Sequence, residues 1–315
     1  LTGMQIANCS LLDEATAAAE AMLMMYALRS REAVKQGRNQ LFVDKDIFPQ
    51  TLDVLLTRSE PFGIELIVDE WNEYEFTGKE FGAILQTPAA IGEVRDYSAF
   101  AAKAHEAGAL VAAIADILSL ALLTPPAEWG ADIACGDAQS LGIPMTYGGP
   151  YVGYLACTNA HVRKLPGRIV GATTDVDGKR AFVLTLQARE QHIRREKANS
   201  NICSNQSLMA LWVTIYMSVM GNKGLNEACS LSYSGAHYLA QQLVATGKCT
   251  MAYDKPFFNE FAVKTTVPAQ QVLEALLANG ILGGVRIADD TLLVCVTEQR
   301  SKAEMDKFVE IVSNI

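Results

Sequence analysis

Apolar runs and polar breaks alternate along the first two-thirds of the chain in a regular order. Short, nearly all-apolar runs are typical of strands buried on both faces of a parallel sheet, and the longer stretches between them have helical spacing. Helices are predicted at 10–28, 49–58, 97–106, 117–122 and 125–129, and strands at 39–43, 64–68, 81–85, 109–115, 133–135 and 151–157. This order predicts a doubly wound α/β sheet.

The last third of the chain has a different pattern. A long apolar helix predicted at 207–219 is interrupted at 221–224, and a second helix continues to about residue 244. Beyond Gly247 the pattern predicts a compact α+β module, with elements at 259–265, 269–278, 285–288, 292–297 and 302–312. We place a domain boundary near residue 222, which gives a large α/β domain at 1–222 and a small α+β domain at 223–315.

The composition narrows the class of protein. The chain has 315 residues, 50% of them hydrophobic and 19% charged, and a net charge of −9, which argues against binding to nucleic acid. No apolar run reaches the ~20 residues that a membrane span needs. The seven Cys and four His are dispersed, so metal sites and disulfides are not predicted. We therefore expect a soluble cytoplasmic protein.

Asp116 follows the apolar run 109–115, at a predicted strand end, where ligands bind in open α/β sheets. Its carboxylate could hold a cationic ring nitrogen, or it could cap the helix predicted at 117–122. The pattern alone favours the cap.

The segment 136–149 contains an Ile-Pro and a Gly-Gly-Pro turn and is predicted as an irregular loop at the sheet edge. Such loops often carry function, but a tight crossover would need the same glycines and prolines for backbone reasons. Both interpretations stay open.

Ser10 is predicted to cap the first helix, with an acid three residues later. A helix start can bind an anion, but Leu11, Leu12, Asp13 and Glu14 in a first turn would disfavour a phosphate. The sequence predicts a good cap here and a poor phosphate site.

The segment 189–201 is strongly charged and leads through a polar, uncharged stretch into the apolar helix at 207–219. As a helix it would place Glu190 four residues before Arg194, which is a stabilising spacing. A solvated face is the ordinary interpretation of such a run, but the uncharged stretch that follows favours a docked segment.

Three segments together resemble one family, the P-protein of the glycine cleavage system, or glycine dehydrogenase (decarboxylating). They are 6–22, 129–133 together with Gln139, and 189–203. The resemblance covers nearly the whole chain. It implies an aspartate-aminotransferase-like fold (pyridoxal-phosphate fold type I), with a mostly parallel sheet in the large domain and a smaller C-terminal α+β domain.

The resemblance also bears on the cofactor. The cofactor-bearing half of this family carries His-Lys-Thr before an Ile-Pro, and here 138–144 lies in that register, which puts Gln139 in place of the Schiff-base lysine. The phosphate-binding helix of that half starts Gly-Ala-Gln-Gly-Glu, where this chain has 10–14. Asp116 matches an acid position and is interpreted as a relic. We therefore expect no catalytic residue, no cofactor-binding residue and no metal ligand in this chain.

The function implied by the resemblance is that of subunit 1 of glycine dehydrogenase, a structural half within an α2β2 heterotetramer. Pyridoxal phosphate is then expected in subunit 2, and the complex would act on glycine together with lipoylated H-protein. The end at Ile315 favours the two-subunit form, and family members have a segment before the position of Leu1, so we interpret the sequence as truncated. The expected interface residues are Arg189, His192, Arg194, Arg195, Lys197, Asn199 and Asn201.

Two rival interpretations are weighed against this one. The first is an autonomous pyridoxal-phosphate enzyme that uses another lysine, such as Lys197. The second is a regulatory module that binds a small ligand in the pocket left by the lost cofactor.

Overall fold

The computed structural model describes residues 1–198, 200, 202 and 205–315. The chain divides into two compact units. The first unit contains residues 1–86 and 96–219, and the second contains residues 87–95 and 220–315. The sequence analysis placed 87–95 in the large domain. These residues pack with the second unit because Glu93 pairs with Phe257 and the Val94 N–H donates to the Pro256 carbonyl.

The first unit is built on a mixed sheet with the strand order β1-β7-β6-β5-β4-β2-β3. Its strands are β1 (Ile6–Ala7), β2 (Gln40–Asp44), β3 (Glu65–Asp69), β4 (Glu80–Thr87), β5 (Leu110–Ala115), β6 (Ile133–Asp137) and β7 (Gly153–Cys157). β2 runs parallel to both β3 and β4, and β5 runs parallel to β6. β7 is antiparallel to β6 and to β1. The mostly parallel α/β sheet predicted from the sequence is confirmed.

Successive residues of the strands enter two different cores, because side chains alternate between the faces of a sheet. In β2, Leu41 and Val43 belong to one core and Phe42 to the other. In β5, Ile114 belongs to the first core and Val111 to the second. Both faces of the sheet are therefore covered, which explains why these strands have no polar alternation.

The helices of the first unit lie between or after these strands. They are α1 (Glu14–Leu28), α2 (Arg31–Lys35), α3 (Pro49–Ser59), α4 (Ser98–Glu106), α5 (Gln191–Arg194) and the first part of α6 (Ser207–Ala245). A separate hairpin is formed by β8 (Ile169–Thr174) and β9 (Arg180–Thr185). Within α6 the backbone at Gly221 is non-helical, with φ 59°, so the predicted interruption at 221–224 is confirmed.

The start of α1 differs from the prediction. The helix begins at Glu14, and its N-cap is Asp13, whose carboxylate accepts the Thr16 N–H at 2.8 Å. Ser10 lies before the helix in a buried segment, where Leu11 pairs with Gly153. The predicted cap at Ser10 is wrong because the β-type pairing of Leu11 with Gly153 keeps the backbone extended as far as Asp13.

Other predicted elements are shorter than expected or absent. Residues 125–129 form turns in place of a helix, with the Glu128 N–H bonded to the Pro125 carbonyl. The helix predicted at 117–122 is only a 3-10 turn at Ser119–Ala121. The charged segment is broken into a 3-10 turn (Gln187–Arg189), α5 and a second 3-10 turn (Arg195–Lys197), and Arg195 has a φ of 54°. None of the helices in the described ranges is both long and apolar enough to cross a bilayer.

The second unit is an α+β module around its own core. Its antiparallel sheet has the order β10-β11-β13-β12. The strands are β10 (Cys249–Met251), β11 (Glu260–Thr265), β12 (Val285–Ala288) and β13 (Thr291–Cys295), and the helices are the second part of α6, α7 (Ala269–Ala278) and α8 (Lys302–Ser313). The predicted smaller C-terminal α+β module is confirmed, and the boundary near residue 222 stays a prediction.

Candidate functional site

Polar side chains gather where the central strands of the first unit end. Asp44 ends β2, Gln86 lies one residue before the end of β4, Asp116 follows β5 and Asp137 ends β6. The carboxyl ends of parallel strands meet at one edge of a sheet, and open α/β sheets bind ligands at that edge. The start of α1 reaches the same edge, because Glu14 is hydrogen-bonded to the side chain of Gln86. We call this group of residues the carboxyl edge.

Asp116 does not cap a helix, because the 3-10 turn Ser119–Ala121 has Leu118 at its N-cap position and no side-chain cap bond. Its Oδ1 accepts the Leu118 N–H at 3.2 Å and the Ser140 hydroxyl, also at 3.2 Å. Burial raises the pKa of the Asp116 carboxyl above its ordinary value. The contact with Ser140 was not predicted, since it joins the ends of two strands that are adjacent only in the fold.

Asp137 and Gln139 form the turn at the end of β6. The Gln139 N–H donates to Asp137 Oδ1 at 2.6 Å, and the Gln139 amide nitrogen lies 3.4 Å from the Pro150 carbonyl, across the loop. The pKa of Asp137 is raised to about 6, mainly by burial, with a smaller contribution from the nearby carboxylates Asp13 and Asp116. Sequence reasoning gave Asp137 no role of its own, although an acid at the end of an apolar strand was the same signal that identified Asp116.

Glu14 is the third carboxyl of this group. It accepts a hydrogen bond from the Thr51 hydroxyl at 3.2 Å. Burial raises its pKa to about 7, and the negative charges of Asp137 and Asp116 act in the same direction. The carboxyl edge is thus crowded with acids, and protons are retained there to higher pH than on ordinary carboxyls.

These residues do not fit pyridoxal phosphate. An internal aldimine needs an amine at the edge, where the register of the family resemblance places the Gln139 amide. A phosphate would need free N–H groups at the start of α1, but the Asp13 carboxylate already accepts the Thr16 N–H, and Glu14 follows. Leu11 and Leu12, which the sequence analysis placed in the first turn, lie before the helix; that part of the prediction is wrong, while the two acids are at the helix start.

The loop after Gln139 combines a backbone constraint with exposed apolar groups. Gly142 has a φ of 87°, its carbonyl accepts the indole N–H of Trp212 at 2.8 Å, and the ring of Tyr216 packs against it. Glycine is thus needed here for backbone reasons. Farther along the loop, Met145 and Tyr147 are fully exposed to solvent.

The residues expected at an interface lie in different surroundings. Arg189 is half-buried, and its guanidinium donates to the carbonyls of Leu165 and Gly167, so it braces its own chain. His192, Arg194, Arg195 and Lys197 are exposed, and Arg194 also donates to the Ala188 carbonyl at 3.1 Å. Asn199 and Asn201 lie outside the described residues. Lys197, the lysine of the rival interpretation, is in the exposed turn Arg195–Lys197.

The sheet order and the two-unit architecture define the class as the fold of pyridoxal-phosphate fold-type-I enzymes. A Lactobacillus brevis glutamate decarboxylase superposes with a TM-score of 0.69 at 12% identity, covering 97% of this chain and 73% of its own. At such identity the likeness shows the fold alone.

A much nearer structure is titled glycine decarboxylase (P-protein) of the glycine cleavage system, in inhibitor-bound form. It has a TM-score of 0.92 and 39% identity, covering 99% of this chain and 72% of that one. The family profile "Glycine cleavage system P-protein" matches residues 1–312. The chain belongs to the glycine cleavage system P-protein family.

Two kinds of curated relative are found. Glycine dehydrogenase (decarboxylating) of Bacteroides thetaiotaomicron is 50% identical over 89% of this chain, which spans 30% of that protein. The probable glycine dehydrogenase (decarboxylating) subunit 1 of Desulfitobacterium hafniense is 42% identical over 98% of this chain, which spans 71% of that protein. The same region is therefore found in a much longer chain and in one named as a subunit.

Proposed function

We propose that this chain serves as subunit 1 of a glycine dehydrogenase (decarboxylating) of the glycine cleavage system and is its structural, non-catalytic half. The proposed partner is subunit 2, which would hold pyridoxal phosphate, in an α2β2 assembly in the cytoplasm. The complex would decarboxylate glycine and transfer the aminomethyl group to the lipoamide of H-protein.

One observation carries the non-catalytic part of this proposal. At the carboxyl edge Gln139 stands in the register of the lysine, and its backbone N–H is hydrogen-bonded to Asp137. An amide nitrogen has no nucleophilic lone pair with which to form an imine, so Gln139 cannot supply the covalent link. The acids at the start of α1 support the same conclusion, because they disfavour a bound phosphate.

Asp116 fits the role of a relic. The family resemblance matches its position to an acid, and an acid at a strand end could hold a cationic ring nitrogen. Here its Oδ1 is used by Leu118 and Ser140, so the carboxyl now holds the ends of two strands together.

The exposed side chains of His192, Arg194, Arg195 and Lys197 are proposed to contact the partner subunit. Arginine suits such a contact because it donates two hydrogen bonds at once to a carboxylate. Arg194→Ala and Arg195→Ala are expected to weaken assembly, and Arg195→Ala should leave the melting temperature of the free chain unchanged. Arg189→Ala is the matched comparison, and it should lower that melting temperature because Arg189 braces the chain itself.

The test uses the chain purified alone, then combined with the catalytic subunit and lipoylated H-protein. Alone, it is expected to give no borohydride-reducible yellow species with pyridoxal phosphate and no glycine decarboxylation. Together, the two subunits should release carbon dioxide from glycine. Stoichiometric cofactor on the isolated chain would support the rival autonomous enzyme, and failure of the two subunits to associate would refute the subunit assignment.

A further inference from the structure

The first part of α6, residues 207–219, is apolar apart from the hydroxyl residues Ser207, Thr214 and Ser218. Residues 198–222 contain no charged side chain and no histidine. A helix with so little polar surface is normally buried over most of its circumference. In this structure only one side of it is covered.

The covered side carries Met209, Val213, Tyr216 and Met217, which are half-buried, and Tyr216 packs on Gly142. The opposite side is a stripe at helical spacing, and its side chains remain in solvent. The exposed fractions are 69% for Leu208, 54% for Leu211, 56% for Ile215 and 78% for Val219.

The hydroxyls on this helix do not compensate for the exposed apolar area. The Thr214 hydroxyl donates to the Ala210 carbonyl at 2.7 Å, and the Ser218 hydroxyl donates to the Thr214 carbonyl at 2.6 Å. Both hydroxyl hydrogens are therefore used within the helix. Covering this side with protein would cost little in lost hydrogen bonds to water.

The loop that leads away from the carboxyl edge contacts the same helix and also exposes apolar side chains. Trp212 and Tyr216 hold that loop at Gly142, and the exposed Met145 and Tyr147 follow a few residues later. A stable interface buries roughly 800 Å² on each partner, more than one helical stripe of four side chains supplies. A surface made of the stripe and the loop together fits a globular partner better than a single peptide segment.

We infer that the apolar face formed by Leu208, Leu211, Ile215, Val219, Met145 and Tyr147 is the surface on which the catalytic partner subunit docks. The inference rests on the proposed function and adds which surface of this chain binds the proposed partner. The loop that carries Met145 begins at Asp137 and Gln139, so a partner seated on this face would also lie next to the carboxyl edge. The two curated relatives described above are both longer than this region, which spans 30% of one and 71% of the other.

A membrane is a poorer occupant of this face. Helices that lie in a bilayer surface carry Lys or Arg on the side that faces water. Residues 198–222 supply none. A second copy of the chain is kept as an alternative outcome of the experiment.

The test is the affinity of this chain for the catalytic subunit, measured by titration calorimetry. The double variant Leu211→Glu/Ile215→Glu places two charges on the face, and binding is expected to weaken by about 100-fold or more. The control Leu56→Glu places a charge on the solvent-facing side of α3. The Leu56 side chain is 49% exposed, and the change should leave the affinity within about twofold. Wild-type affinity in the double variant overturns this inference but leaves the proposed function standing.

A second measurement needs no disruptive change, in case the double variant does not fold. Fluorine NMR of the chain labelled with 5-fluorotryptophan reports on Trp71, Trp129 and Trp212, and Trp212→Phe assigns the last. Adding unlabelled catalytic subunit should shift the Trp212 resonance and leave the other two in place. An unshifted Trp212 in a formed complex overturns the inference. If the wild-type chain pairs with itself through this face and ignores the catalytic subunit, both the inference and the proposed function fail.

Discussion

The buried Glu14 carboxyl should make the first unit more stable in mild acid than at neutral pH. Burial raises its pKa from the ordinary 4.5 to about 7. In that pH range the folded chain holds a proton that the unfolded chain has released, so the free energy of unfolding falls as the pH rises from 4.5 to 7. At about 1.4 kcal/mol for each tenfold change in proton affinity, the loss is about 3 kcal/mol.

The variant Glu14→Gln isolates this effect, because glutamine is neutral at every pH and its side-chain oxygen can still accept the Thr51 hydroxyl. At pH 4.5 its stability should be close to that of the wild type, since the glutamic acid is then neutral in the folded state. At pH 8 it should be about 3 kcal/mol more stable. In both proteins the free energy of unfolding also falls with rising pH because of Asp137, whose pKa is raised to about 6. This shared effect cancels in the comparison.

The assay is urea unfolding at several pH values, followed by tryptophan fluorescence. All three Trp lie in the first unit, so the signal reports on that unit. Asp53→Asn, on the exposed side of α3, makes the same charge change and should alter stability by no more than about 0.5 kcal/mol. A constant difference between Glu14→Gln and the wild type from pH 4.5 to 8 would refute the reasoning, because the effect would not then depend on ionisation.

Three further changes test other features. Gln139→Lys alone should not give stoichiometric binding of pyridoxal phosphate, because the acids at the start of α1 would still repel the phosphate; a stable absorbance of the aldimine would contradict this. Gly153→Ala should lower the free energy of unfolding by about 1–3 kcal/mol, since its Cβ would overlap the Asp13 carbonyl, and calorimetric melting measures the loss. Arg195→Gly should stabilise the free chain by roughly 0.5–1 kcal/mol, because glycine adopts the observed φ of 54° without strain; an unchanged melting temperature would count against that explanation.

Elements with a strong apolar period could be predicted from the sequence almost to the residue. The helix predicted at 269–278 is observed as Ala269–Ala278, and the strand predicted at 285–288 as Val285–Ala288. The spacing of the apolar residues lies within each element, so it predicts the element without knowledge of distant contacts. The short helix predicted at 125–129 was wrong, since five residues carry too little periodic signal to separate a helix from turns.

The parts that could not be predicted depend on contacts between distant residues. The cap of α1 moved from Ser10 to Asp13 because Leu11 pairs with Gly153, which lies far along the chain. For the same reason, the register of Gln139 could be read from the family resemblance, while the approach of Ser140 to Asp116 could not. The hairpin β8–β9 was missed because much of its apolar surface is exposed and gives no core-facing alternation.

The capping box at the start of α1 has a consequence for how readily this chain could acquire a cofactor site. Asp13 and Thr16 bond to each other's backbone N–H groups, and losing such a cap costs a helix about 1 kcal/mol. If the chain is the non-catalytic half proposed above, a lysine introduced at position 139 would not be enough for cofactor binding, because a phosphate would also need the N–H groups that this cap uses. Removing the cap would destabilise α1 by the same amount whether or not the lysine is present. Building a cofactor site in this chain would therefore need two coupled changes, and the capping box opposes the second of them.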